Sequence, residues 1–231
     1  KGSEIITPCL NFGTAVSAIL ISGYKPIFVD INIKTLQINT NLIEKKITKY
    51  TKAMVIPNLI GNIPDWHKIK AIAKKYNLKI IEDSADTLGA KIGKKSTGYF
   101  SDISITSFYG SHIISCAGNG GMLLTNNKNY YNKAKVLRSW GRMSSLVKDS
   151  ENINKRLGIK LKGIEYDRKF IFSEIGYNFE PSEISASFGL IQLKKLSLFN
   201  KIRNKNFISH VNFFNKYNEF FINPIVEKKI K

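Results

Sequence analysis

The chain has 231 residues, 43% of them hydrophobic, with two cysteines and a net charge of +19. That length buries a substantial core, no apolar run reaches the roughly eighteen residues of a membrane span, and Cys9 and Cys116 lie too far apart to suggest a disulfide framework; a globular chain of the reducing cytoplasm, with no membrane partner, is expected. The charge points toward polyanions, yet lysines run along the whole chain beside Ile and Asn without zinc-finger spacing or an aromatic RNA-binding motif, so solvated helix faces are expected and no nucleic-acid partner.

In chain order, short β-rich runs alternate with helical patterns through the first half, the signature of an α/β domain with a mainly parallel sheet. Strands are expected at 4–7, 26–30, 53–57, 78–82, 103–108 and 122–125, and helices at 14–22, 41–49, 65–76 and 129–138. The helix at 65–76 is strongly amphipathic and is capped near Pro64-Asp65. From 139 to 169 charged and polar residues with little periodicity predict a long loop, which in a compact domain tends to be functional. Order returns at 170–172, and helices are predicted at 181–196 and 201–217.

The strand at 78–82 runs into Glu82-Asp83, followed by Ser84-Ala85-Asp86-Thr87-Leu88-Gly89. Ligands of open α/β sheets bind at the carboxyl ends of strands, so Asp83 is placed to meet one; on composition alone such an aspartate serves equally well as a helix cap or turn residue. Further on stands Ser107-Phe108-Tyr109-Gly110-Ser111-His112, and then the glycine-rich run Ala117-Gly118-Asn119-Gly120-Gly121. Backbone amides of such a run bind anions, although many glycine turns are only connections. A lone histidine beside Ile113-Ile114 is ordinarily a core or turn residue.

The run ending at His112 resembles the cofactor-anchoring segment of the DegT/DnrJ/StrS family of pyridoxal-phosphate sugar aminotransferases, in which serine, phenylalanine and, four residues after the phenylalanine, a lysine precede a glycine-rich loop. Here histidine stands where the lysine would be. An amine forms a Schiff base with pyridoxal phosphate and an imidazole does not. The histidine form resembles the nucleotide-sugar 3-dehydratases of the family. The resemblance implies a fold type I large domain with a sheet of seven-stranded type, incomplete at both ends. It divides the chain into a cofactor-binding part at 1–138, an excursion at 139–172 and a helical segment at 173–231 leading toward a small domain.

The resemblance also implies roles. Asp83 pairs with the pyridinium nitrogen, Asp86 meets the ring's phenolic oxygen, Ser107 binds the cofactor phosphate and Phe12 stacks on the ring, a position where core packing is an equal alternative. Asn178, in Ile175-Gly176-Tyr177-Asn178-Phe179, reaches the phosphate of a neighbouring subunit, which implies a homodimer with shared active sites. His112 becomes the base of a C3 dehydration on a nucleotide-linked 4-keto sugar, with pyridoxamine phosphate held noncovalently and regenerated by glutamate. Arg138-Ser139-Trp140-Gly141-Arg142 is similar to a motif of dehydratases acting on CDP-linked sugars. Those enzymes follow it with cysteines that hold an iron–sulfur cluster; Met143-Ser144-Ser145-Leu146 follows here, so no cluster is expected. Two alternatives stand beside this reading: an aminotransferase using Lys91, Lys94 or Lys95, and a non-catalytic sugar-nucleotide-binding relative.

Overall fold

The computed structural model describes residues 2–223 and 225. They form two compact units, one of Lys1–Leu124 with Ile184–Lys231 and one of Thr125–Glu183, boundaries different from the three segments 1–138, 139–172 and 173–231. The first unit is built on a six-stranded sheet, one strand fewer than the seven-stranded plan. Its strands are β1 (Glu4–Pro8), β2 (Lys25–Val29), β3 (Thr51–Pro57), β4 (Lys79–Asp83), β5 (Ile103–Ser107) and β6 (Gly121–Leu124). Their order is β6-β5-β4-β3-β1-β2. All neighbours are parallel except β6, which runs antiparallel to β5. The chain steps from β1 to β2 on one side and then to β3 on the other, so β1 and β3 flank a topological switch point, where open α/β sheets bind ligands.

β1 is buried at all five positions and β6 is exposed at all four, so burial is deepest in the middle of the sheet. Ile6, Val29, Met54, Ile56 and Ile80 are fully buried in one core with Trp66, Ile69 and Ile72. The last three come from α2 (Trp66–Lys75), α1 being Gly13–Ile21. Spaced at i, i+3 and i+6, they lie along one helix face, and each such side chain contributes roughly 1.5–3 kcal/mol when removed from water. The helix starts where the Asp65 carboxylate accepts the Lys68 amide at 3.0 Å, and Lys74 and Lys75 complement the dipole in its last turn.

The second unit opens with α3 (Lys128–Arg138), whose N-cap Asn127 accepts two backbone amides. The expected loop at 139–169 has structure of its own: single helical turns at Met143–Leu146 and Ile153–Arg156, and a hairpin of Ile159–Leu161 with Ile164–Tyr166. That hairpin turns on Lys162 and Gly163, both at positive φ (51° and 82°), the backbone of a type I′ turn. The two helices expected at 181–196 and 201–217 are one helix, α4 (Glu183–Phe214), with a short turn at Asn215–Tyr217 after it. Ser197, Leu198, Phe199 and Asn200 include no glycine or proline, so nothing stops the hydrogen-bond ladder between them. Among the described residues no helix is long and apolar enough to cross a membrane.

Candidate active site

The site is assembled at the carboxyl ends of the sheet strands in the first unit. Asp83 is the last residue of β4, and its carboxylate accepts the Ala85 amide at 3.0 Å. Burial pushes its pKa above the ordinary carboxylate value, and the neighbouring charge of Asp86 pushes the same way; the Ala85 bond and His112 act against them. An aspartate left with one backbone donor in a half-buried place is suited to a cationic N–H partner.

The turn after Asp83 is held from beneath by a polar network that sequence reasoning missed. Asn58, directly after β3, is 1% exposed, and its side-chain amide donates to Glu82 Oε1 (2.9 Å), Ser84 Oγ (3.0 Å) and Thr87 Oγ1 (3.1 Å). Its carbonyl accepts the Trp66 indole N–H at 2.8 Å. Glu82, also 1% exposed, accepts Ser84 Oγ and, through its other oxygen, the Gly98 amide, both at 2.8 Å. The Asn58 amide donates to the Asp83 carbonyl at 2.8 Å, and the Ser84 amide to that of Ile105 at 2.8 Å, so the turn carrying Asp83 and Asp86 is tied to β3 and β5. Only an asparagine directly after a strand could have signalled this.

Asp86 Oδ2 accepts the Ile60 amide at 3.1 Å, and Oδ1 lies 3.9 Å from His112 Nε2. The segment from β5 carries the remaining groups. Ser107 Oγ accepts the Tyr109 amide at 3.2 Å, which leaves its hydroxyl hydrogen free to donate. The His112 amide closes a turn on the Tyr109 carbonyl at 3.0 Å, and the two rings stand edge to face at 6.1 Å. Among the described residues, Nδ1 of His112 is buried with no hydrogen-bond partner. The glycine-rich run folds back on this segment: the Phe108 amide donates to the Gly120 carbonyl at 2.9 Å, and a Cβ on Gly120, at φ 129°, would press on Cys116 at 3.3 Å.

Phe12 caps α1 without a side-chain bond and is 69% exposed in this chain. Its backbone is set by Asn11, whose side chain bonds both the Phe12 amide and Thr7, each at 2.8 Å. Lys91, Lys94 and Lys95 are exposed on a small hairpin, with Lys95 Nζ 4.1 Å above the Tyr99 ring. Asp83, Asp86 and His112 are therefore brought together, with Ser107 and Tyr109 on the same segment as the histidine.

Asn178 belongs to the second unit, where it bridges Ser139 in antiparallel fashion. There Trp140 and Gly141 both take positive φ (54° and 84°), and a side chain on Gly141 would overlap the Glu174 carbonyl. The Arg142 guanidinium stacks on Trp140 at 4.6 Å.

The family model of DegT/DnrJ/EryC1/StrS aminotransferases matches residues 1–229. The chain belongs to this family. It is 35% identical over 209 residues to the lipopolysaccharide biosynthesis protein RfbH of Salmonella typhimurium, covering 89% of the chain and 48% of RfbH. To the GDP-perosamine synthase of Escherichia coli O157:H7 it is 36% identical over 199 residues, 86% of the chain and 48% of that enzyme. A solved structure of the E. coli GDP-4-keto-6-deoxy-D-mannose-3-dehydratase with hydrated PLP superposes with a TM-score of 0.81 at 32% identity, over 93% of this chain and 54% of that one. The chain spans about half the length of the curated relatives it matches. The type I large-domain fold with its mainly parallel sheet is thus that of the family.

Proposed function

We propose that this family member takes part in nucleotide-sugar biosynthesis as a C3 dehydratase of a nucleotide-linked 4-keto-6-deoxyhexose, with pyridoxamine phosphate as cofactor and His112 as base. The observation that carries the reading is His112 on the segment after β5, facing Asp86 and within electrostatic reach of Asp83, in a stretch with no lysine between Lys95 and Lys128. The residues fit the cofactor: a half-buried carboxylate short of donors, a serine hydroxyl with its hydrogen free, an exposed aromatic ring and an imidazole all lie at or just past the carboxyl ends of β4, β5 and β1.

When bound, pyridoxamine phosphate supplies an aromatic ring that acts as an electron sink for charge developing next to the sugar's C4. Asp83 would pair with the ring nitrogen, whose N–H would supply the cationic partner that its buried carboxylate lacks. Ser107 would donate to the phosphate, and Phe12 would offer its ring for stacking. His112 removes the methylene proton whose loss lets the C3 hydroxyl depart. Glutamate would supply the amine of the cofactor, and Asn178 would serve the phosphate of a second subunit in a homodimer. The cytoplasm is the expected site of the reaction.

A transaminase is the second reading, favoured by the likeness to GDP-perosamine synthase. Incubation of the complete protein with pyridoxal phosphate, with and without borohydride and with glutamate, separates the two by intact mass and absorbance. A cofactor that stays noncovalent and passes to the amine form supports the dehydratase; a reduced adduct on Lys91, Lys94 or Lys95 establishes the transaminase. His112→Lys is expected to create a borohydride-reducible bond to the cofactor and to abolish dehydration, and unchanged dehydration would refute the base.

A further inference from the structure

We infer that Asn119-Gly120 is a site of self-modification: the Gly120 amide closes on the Asn119 side chain, ammonia leaves, and the isoaspartate that follows loosens the segment carrying Ser107. The site stands on its own geometry, while its effect on the cofactor rests on the reading of Ser107 as the phosphate donor.

The chain holds one asparagine followed directly by glycine, at 119–120. Ring closure brings the next residue's amide nitrogen to the side-chain carbonyl, and a β-carbon on that residue hinders the approach; glycine has none. Both residues are exposed and lie outside helix and strand. Among the described residues neither the Asn119 side chain nor the Gly120 amide has a hydrogen-bond partner, so no bond has to break first. The backbone around them is irregular, with Ala117 at φ 55°, Gly118 at 98° and Gly120 at 129°. Other asparagines are held. Asn127 and Asn152 cap helices through their side-chain oxygens, and the buried side chains of Asn58 and Asn62 are bonded through both oxygen and nitrogen.

The chemistry needs only water. The Gly120 nitrogen attacks Cγ of Asn119 and an N–Cγ bond forms. The Cγ–Nδ2 bond breaks, and that nitrogen leaves as ammonia with the proton that Gly120 gives up. Water then opens the cyclic imide. Opening at Cγ gives aspartate. Opening at the main-chain carbonyl carbon gives isoaspartate, in which the chain runs through the former side chain and is longer by a methylene.

That methylene enters a loop with little slack. The Gly120 carbonyl accepts the Phe108 amide at 2.9 Å and the Cys116 amide donates to the Phe108 carbonyl at 3.0 Å, so the loop grips Phe108 from both ends. Gly121 pairs with Ser107 where β6 meets β5. On the side of Cys116 a Cβ placed on Gly120 would already lie 3.3 Å away, which leaves no space for the backbone to bulge there. The longer chain therefore moves the Gly120 carbonyl off Phe108 or Gly121 off Ser107, and either shift displaces the Ser107 hydroxyl.

The test follows the complete protein through incubation in warm, mildly alkaline buffer, with a mildly acidic control in which the amide nitrogen attacks slowly. Peptide mass mapping is expected to find residue 119 deamidated ahead of every other asparagine, with isoaspartate identified there by enzymatic methylation. The isoaspartate form is expected to bind pyridoxal phosphate about tenfold more weakly than fresh protein, the worth of roughly one hydrogen bond. Fresh Asn119→Asp, with the same charge and an unlengthened backbone, is expected to stay within about threefold of the parent. Asn119→Gln, whose side chain would have to close a larger ring, is expected to keep its affinity through the incubation. A residue 119 that stays unmodified would overturn the site. Isoaspartate at 119 with unchanged affinity, or an equal loss in fresh Asn119→Asp, would overturn the backbone effect. Fresh protein that binds no pyridoxal phosphate removes the reading of Ser107, and the mapping still decides the modification.

Discussion

Replacing Asn58 with alanine is expected to cost the fold about 3–5 kcal/mol, although the residue touches no solvent and no ligand. The substitution leaves the Trp66 indole N–H, otherwise bonded to Asn58 at 2.8 Å, without an acceptor, at about 1–3 kcal/mol. It takes one donor from the buried Glu82 carboxyl, at a similar cost of about 1–3 kcal/mol, and the void left in packed surroundings adds to both. Against a typical total stability of 5–15 kcal/mol this is a large share, so the midpoint in urea falls sharply. A double-mutant cycle with Trp66→Phe isolates the indole bond: in that background Asn58→Ala is expected to cost about 1–2 kcal/mol less, because no N–H is stranded. A loss below about 1 kcal/mol in Asn58→Ala, or no coupling with Trp66, would refute the view that this network holds the Asp83 turn.

Asp83→Asn is expected to stabilise the cofactor-free protein at neutral pH while abolishing cofactor function. The folded state raises the pKa of Asp83, chiefly by burial, so between the usual carboxylate value and the raised one it binds more protons than the unfolded chain. Stability therefore falls as pH rises through that window, and the cost persists above it. Melting curves of the two proteins should converge in acid, where both side chains are neutral, and a gap independent of pH would count against the argument. Gly189→Ala in α4 is expected to destabilise by about 1 kcal/mol despite the better helix propensity of alanine, because its methyl would overlap Cys116 Sγ. In a Cys116→Ala background the same change should become stabilising, which a urea titration of the four variants checks.

The sheet and its acids were legible because their signals are periodic or terminal. The strand expected at 78–82 is Lys79–Asp83, and the helix expected at 65–76 is Trp66–Lys75, since alternation of apolar residues and a capping aspartate are written locally. His112 was legible only against a family motif, because a single histidine carries no period. What stayed hidden depends on contacts between distant residues. Asn58, Glu82 and Thr87 meet Trp66 through bonds that cross three elements, and no local pattern encodes them. Ile60 gives no hint of a left-handed backbone, which Gln37, donating to the Leu59 carbonyl at 2.9 Å, imposes from outside. The hairpin of Ile159–Leu161 and Ile164–Tyr166 leaves no clear signal in the sequence, because Lys162-Gly163 is not one of the usual type I′ pairs.

The first unit is discontinuous in sequence, with residues before Leu124 and after Ile184 packed together. The Asn62 side chain even bonds the Ile225 carbonyl at 3.1 Å, and the Ile225 amide bonds the Lys34 carbonyl at 2.9 Å. During synthesis the sheet therefore emerges long before the segment that completes it. At roughly 5–20 residues per second, the ribosome needs on the order of 5–20 s between Leu124 and Ile225. Throughout that interval the surface around Gly89 and Cys116, which the later helix meets, stays open to water, so the order of synthesis leaves part of this unit uncovered until its last segment arrives.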